Sequence, residues 1–440
     1  MLRRLIPVLA VAAAAVAAPP PHSTRGSGSF LMPAGAGIPL EAVMRENGCV
    51  EPAPAQSERG WPPGWENANM AGGDVPPARV VRDPYPTFHG VAVDPDNNVV
   101  VMSDSNRHAL WMYERTAGSA TSGEAARPLT GIRGPATGMM FVASVALDPA
   151  RREIYTVDND IGDRLETFPY DATGNAKPIR VLHVPHQAWG IALSHKRDEV
   201  ALTVESSRMV VVYRRGSKDD DLPIRVLRGP ATGMGDPHGV GFDDVNDELV
   251  VANHGNQTSG VFRRELKTHE SDKERTGRRQ QDPWQGGRWE PPSLTVYRAD
   301  ARGDAAPVRR VQGVKTGLNW PMGISIDTRN NEIAVANNGD SSVRIFRRTD
   351  SGDVAPVRVI KGSRTGISGP MGVSIDMKND EIWVSNYGEH SAVVFARTAS
   401  GNIAPKRILR NAPAGAPTTG FGNPGAVAFD TKRDEILVPN

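Results

Sequence analysis

Two histidines stand in the same local setting, His89 in FHGVAVD and His238 in PHGVGFD. Imidazole is the commonest metal ligand and a catalytic metal site takes about three protein ligands, so both are candidates for holding a transition metal, with His186 in VPHQAWG a third, out of register. A second set of side chains, Asp104, Asp158, Asn253, Asn337 and Asn386, recurs at one place in a repeated pattern, broken at Val204 and resumed at Asn440. Their oxygens suit Ca²⁺, although Asp and Asn are also the ordinary openers of turns. Trp189, Met322 and Met371 occupy the position that His89 and His238 hold elsewhere and are candidate ligand contacts. Ca²⁺ or a transition metal is therefore the cofactor chemistry on offer. No paired-cysteine spacing, glycine-rich phosphate loop or Gly-x-Ser-x-Gly elbow occurs, so no catalytic residue is identified.

These residues are positioned by a repeat whose clearest copy is residues 320–362, WPMGISIDTRNNEIAVANNGDSSVRIFRRTDSGDVAPVRVIKG. GISID, EIAVAN, VRIF and PVRVI each alternate with period two, and turn residues separate them. The unit is thus four short strands in an antiparallel meander. Its first strand recurs about seven times, ending at Asp94, Asp148, Ser194, Asp243, Asp327, Asp376 and Asp430; the spacings are 54, 46, 49, 84, 49 and 54 residues. That period belongs to stacked or radial repeats.

The middle residue of the first strand is Ala92, Ala146, Ala192, Gly241, Ser325, Ser374 and Ala428, never larger than Ser, between large apolar neighbours. Strands converging on an axis would leave no more room, because close-packed interiors resist added methylenes. The third strand carries an aromatic (Tyr113, Phe168, Tyr213, Tyr297, Phe346, Phe395) suited to the wider gap farther out. The fourth is preceded by Pro and carries Arg180, Arg225, Arg309, Arg358 or Arg407, features that keep an exposed edge from pairing with other chains. The expectation is an all-β propeller of seven four-stranded blades, the last incomplete and closed by an amino-terminal strand within residues 76–83.

The pattern Gly-apolar-small-apolar-Asp, Glu-Ile-x-Val-x-Asn, Val-x-Val-Phe resembles the NHL and YVTN classes of propeller repeat over residues 75–440. The His-Gly pairs at His89 and His238 are similar to NHL-type amidating lyases, which implies axial histidines holding a metal; the Asp and Asn series is similar to calcium-dependent propeller lactonases.

Composition is that of a globular chain rich in turns, with 45 Gly and 36 Pro, and the net charge of +1 gives no pull toward nucleic acid. Residues 1–18 combine Arg3 and Arg4, a short apolar run and small residues, the form of a secretory signal too short to span a bilayer. The expectation is a secreted or periplasmic protein without a transmembrane segment in its mature chain. Cys49 is the lone cysteine, in a Pro/Gly/Ala-rich leader over residues 19–74. Residues 263–292 form a charged insertion in the fourth repeat, a loop of the kind that binds partners. The function these features favour is a binding or scaffold module that takes a protein or small molecule at the channel mouth. A metal-dependent lyase or lactonase at the channel is the alternative, and a cell-surface array a third.

Overall fold

The structure, a computed structural model, describes residues 85–159, 162–255 and 290–416, and the backbone of 428–430 and 435–437. The chain divides into two compact units; Tyr85–Gly420 belongs to one, Phe421–Asn440 to the other. Among the described residues no helix is long and apolar enough to cross a membrane.

Six antiparallel sheets of four strands follow one another over residues 88–133, 142–183, 188–228, 237–312, 321–361 and 370–410, each ordered as the chain runs. These are blades of a propeller. Their first strands, Phe88–Asp94, Val142–Asp148, Ala188–Ser194, Pro237–Asp243, Pro321–Asp327 and Pro370–Asp376, each pack on the next, and the last packs back on the first. The ring therefore closes at six blades, not the seven the repeat count suggests. Each blade is complete within its own contiguous segment, so no amino-terminal strand is needed to finish one. The seventh copy supplies only the hairpin Ala428–Asp430 with Glu435–Leu437, which forms a two-stranded sheet in the other unit. Residues 76–83, the lone fourth strand expected from the sequence, lie outside the described residues, as do the signal-like segment, the leader and nearly all of the insertion. The insertion falls between Glu248–Asn253 and Ser293–Arg298, the second and third strands of blade four.

Burial explains the repeat. Six apolar clusters fill the six seams, and each holds the third-strand aromatic of one blade against the preceding blade. At the closing seam Phe88, Val100 and Tyr113 of blade one meet Trp383, Val394 and Leu409 of blade six. The small middle residue of the first strand faces the next blade, as expected: a Cβ on Gly241 would meet Ile326 at 3.1 Å. The closest approach is two residues earlier. A Cβ on Gly372 would lie 2.8 Å from the His89 carbonyl oxygen, and one on Gly190 closer still to that of His238.

Two further devices repeat around the ring. The linker before each fourth strand bridges the outer strand of the preceding blade: Arg133 donates to the Gly174 carbonyl and Gly174 to that of Gly131, both at 2.8 Å. Ser119 of blade one does the same for Ile408 of blade six, at 3.0 Å in both directions. The arginines of the fourth strands are not bare edge charges. Arg180, Arg225, Arg309, Arg358 and Arg407 each grip Glu153, Glu199, Glu248, Glu332 or Glu381 of their own second strand through two bonds of 2.5–2.9 Å. Bidentate pairing of this kind is stronger and more directional than a lone contact. The next blade often adds a second arginine: Arg348 to Glu248, Arg397 to Glu332 and, across the closing seam, Arg115 to Glu381.

Replacing Gly190 by Ala pushes a methyl into a neighbouring backbone that cannot swing aside. It should cost ~1–3 kcal/mol by overpacking, whereas Gly216→Ala, which meets nothing within 4 Å, should be near neutral; denaturant midpoints of the two variants check this. Acid should act through the glutamates. Burial alone would raise Glu381, but Arg407 and Lys406 hold it down from 4.5 to about 2, and Glu153, Glu248 and Glu332 are lowered likewise. Because the folded value is below the unfolded one, this stability is full above about pH 4.5 and drains as pH falls toward about 2. Urea midpoints should drop over that window, and by less in Glu381→Gln.

Candidate functional site

The strand register decides which residues meet at the mouth. Phe88 pairs with Asp104, Pro237 with Asn253 and Pro321 with Asn337, so the start of every first strand lies beside the end of its second. A backbone hydrogen bond then ties the residue before each first strand to the residue after each second: Ser105 to Thr87, Asn159 to Phe141, Glu205 to Gln187, His254 to Asp236, Asn338 to Trp320 and Tyr387 to Gly369. With His89, Ala143, Trp189, His238, Met322 and Met371 these make three tiers of side chains on one rim. The sequence reading found only the last tier. The other two were detectable as positions that vary from repeat to repeat while their flanks are copied.

The Asp and Asn series holds this rim in place. Asp104 accepts the amides of Thr87, Asn106 and Arg107 and the Trp111 indole N–H; Asp158 accepts those of Met140 and Phe141. Asn253, Asn337 and Asn386 accept from Gly235, Asn319 and Ser368. The five side chains lie in five different blades, each bonded to the loop that leads into its own first strand. Burial pushes Asp104 up to about 6 and Asp158 to about 7, against the pull of those amides.

Rings run continuously along the rim. Tyr387 lies 4.9 Å from His89, His89 5.3 Å from Phe141 and 5.8 Å from Trp189, Trp189 4.8 Å from His238, His238 4.4 Å from His254, and His254 4.9 Å from Trp320, all between centroids. Trp189 packs on the seam of its own blade with blade two and also on the seam between blades five and six, where Met322 and Met371 lie. It therefore crosses the axis. The three apolar residues singled out in the sequence thus converge. The axial cavity that Trp189, His89 and Met371 help line measures about 70 Å³ to the centres of water-sized molecules, room for a few waters rather than an enclosed ligand.

His89 and His238 differ in company. His89 is 2% exposed, neither ring nitrogen has a partner among the described residues, and burial lowers it to about 3. It is a neutral imidazole among aromatic rings. His238 is lowered to about 4 by burial and by His254, against the pull of Asp236. Its neighbours are polar: Nδ1 lies 3.8 Å from the Asp236 carboxylate and Nε2 3.7 Å from that of Glu205. His254 Nδ1 lies 3.2 Å from Asp236. Asp236, His238 and His254 form a group whose candidate ligand atoms all lie within 4.8 Å of one another, and His89 is not part of it. His186 pairs instead with Asp163, 3.0 Å away, and is half exposed.

No family model and no curated protein matches the sequence. Among solved structures the chain is similar to a chain of Kuenenia stuttgartiensis hydrazine synthase (12% identity, 74% of this chain and 99% of that one, TM-score 0.47). It is similar also to a chain of a nidogen/laminin complex (15%, 74% and 94%, 0.44) and to a functionally unknown protein from Desulfotomaculum acetoxidans (14%, 76% and 91%, 0.46). At these scores the architecture rests on the chain's own strands.

The buried neutral His89 should make the protein acid-sensitive from a higher pH than the glutamates do. Its folded value of about 3 lies below the ordinary 6.5, so the stability associated with it is complete above about pH 6.5 and is lost as pH falls toward about 3, at up to ~1.4 kcal/mol per pH unit. His89→Phe, which keeps the ring contacts, should flatten the stability profile between about pH 6 and about pH 4.5. An unchanged slope would mean that His89 is solvated.

Proposed function

We propose that the chain is an exported propeller that binds a small ligand, or an exposed group of a protein partner, on the rim where Trp189 crosses the axis. The observation that carries this is the ring chain from Tyr387 to Trp320, to which all six repeats contribute. Propellers bring one residue from each blade to a common point, and there this repeat departs from its copying in every blade. A surface of ring faces and neutral imidazoles beside the carboxylates of Asp236 and Glu205 suits a flat apolar or a cationic group. A cavity with room for only a few waters favours a ligand held on the rim over one within the channel. Export rests on the signal-like residues 1–18, and nucleic acid is disfavoured by a net charge of +1.

A second reading, a metal-dependent lyase or lactonase working at the channel, draws support from one feature, the gathering of Asp236 and His254 around His238.

Thermal shift against aromatic and quaternary-ammonium compounds, followed by fluorescence titration, tests the binding reading. A compound that stabilises the protein should lose roughly two- to thirtyfold in affinity in Trp189→Ala, since aromatic contacts of this kind contribute roughly 0.5–2 kcal/mol each. Binding equal in Trp189→Ala and wild type, or no response across the series, would count against a rim site.

A further inference from the structure

The sequence offered His89 and His238 as a metal pair across the channel; the structure gathers a different set. Pairing of Pro237 with Asn253 sets the residue after each, His238 and His254, on the same rim, where their rings lie 4.4 Å apart. Asp236 sits between them because it turns the chain in the left-handed region, φ 54°, which Asp tolerates better than most residues. Its carbonyl accepts the His254 amide at 2.9 Å, fixing the backbone of the pair.

We infer that Asp236, His238 and His254 bind a divalent transition metal of the Zn²⁺ class, with coordination positions left open beneath Trp189 and Trp320. Two imidazoles and one carboxylate are the donor set of catalytic zinc and of open non-haem iron sites. Metal–ligand bonds of ~2.0–2.1 Å place the ligand atoms of a tetrahedron about 3.3 Å apart. One oxygen of the Asp236 carboxylate lies 3.2 Å from Nδ1 of His254 and the other 3.8 Å from Nδ1 of His238; that Nδ1 is also 3.1 Å from the Asp236 carbonyl oxygen, a contact that a bound metal would replace. With Nδ1 of His238 on the metal, its Nε2 faces the Glu205 carboxylate 3.7 Å away, which would have to move closer to serve as the outer-sphere acceptor that metal-bound histidines ordinarily have. The Nε2 atom of His254 is buried and has no partner among the described residues. The Trp320 ring lies against that ring with centroids 4.9 Å apart and planes tilted by 57°, and its φ of 50° is the left-handed turn that Gln187 and Asp236 also make before their first strands, costly for a residue as bulky as Trp. Three protein ligands leave room for an exchangeable water or an anionic oxygen of a rim-bound ligand.

The test is titration of the untagged, chelator-treated full chain with Zn²⁺ by calorimetry, and with Co²⁺ by visible absorption. One Zn²⁺ per chain should bind at micromolar affinity or tighter. His238→Ala and His254→Ala should each weaken it at least about a hundredfold, and Glu205→Gln, which removes an orienting acceptor, about tenfold. His89→Phe and His186→Ala should bind Zn²⁺ like wild type, which separates this site from one built on the axial histidine. Unfolding midpoints in metal-free buffer show whether each variant is folded. Should an alanine variant not fold, the Co²⁺ spectrum of the wild type decides: intense four- or five-coordinate bands support the site, and a weak hexaaqua-like spectrum overturns it. No saturable binding, binding that survives His254→Ala, or loss in His89→Phe equal to that in His254→Ala would also overturn it.

Discussion

A blade of this propeller cannot bury both of its faces by itself, and each seam is filled only when the third-strand aromatic of one blade lies against the blade before it. In an open array the two outermost faces would stay wet. Closure removes them, and the contacts at the closing seam are of the same kinds as those elsewhere: Tyr113 against Trp383 and Leu409, Arg115 on Glu381, Ser119 bridged to Ile408, and the Ser385 hydroxyl on the His89 carbonyl. The number six is therefore a property of how blade six fits blade one.

That constraint accounts for what the sequence did and did not disclose. Strands, blade composition and the crowded inner strand were legible because each follows from a local pattern: period-two alternation, Asn-Gly and Gly-Asp turns, and small residues such as Gly241 facing Ile326. The blade number was not. Counting first strands gives seven, because Ala426 to Asp430 matches the pattern as well as the other copies do, and no local signal says whether a copy enters the ring. The fourth-strand arginines were misread for the same reason: in sequence Arg358 is a charge near an edge, and only the sheet order brings it across the third strand to Glu332.

The candidate site was half legible. His89, Trp189, His238, Met322 and Met371 share one register position, so reading any one of them as a rim residue places the rest. His254 and Asp236 belong to positions occupied elsewhere by Ser105 or Tyr387 and by Thr87 or Trp320, with no common chemistry to mark them. Their relation to His238 passes through a strand pairing and an inter-loop hydrogen bond, neither visible as spacing. The Asp and Asn series shows the converse. It is conspicuous because it is repeated, and it is repeated because five of the six blades use it to fasten the loop entering the first strand.

Several unfavourable features gather on the same rim. Elsewhere most buried carboxylates are satisfied: Asp243 caps the turn at Asn246, and the glutamates of the second strands carry one or two arginines, whereas Glu166 of blade two is buried with both oxygens unpartnered among the described residues. On the rim, His89 is buried with two unpartnered nitrogens, His254 with one, and Trp320 holds a left-handed backbone. Each such feature costs on the order of 1–3 kcal/mol, which a leucine at His89 or a glycine at Trp320 would relieve. Within a repeat that solves the same packing problem six times with the same residues, departures that weaken the fold are hard to explain as packing. They mark the rim as a place where local hydrogen-bond satisfaction and backbone ease are given up within an otherwise repeated frame.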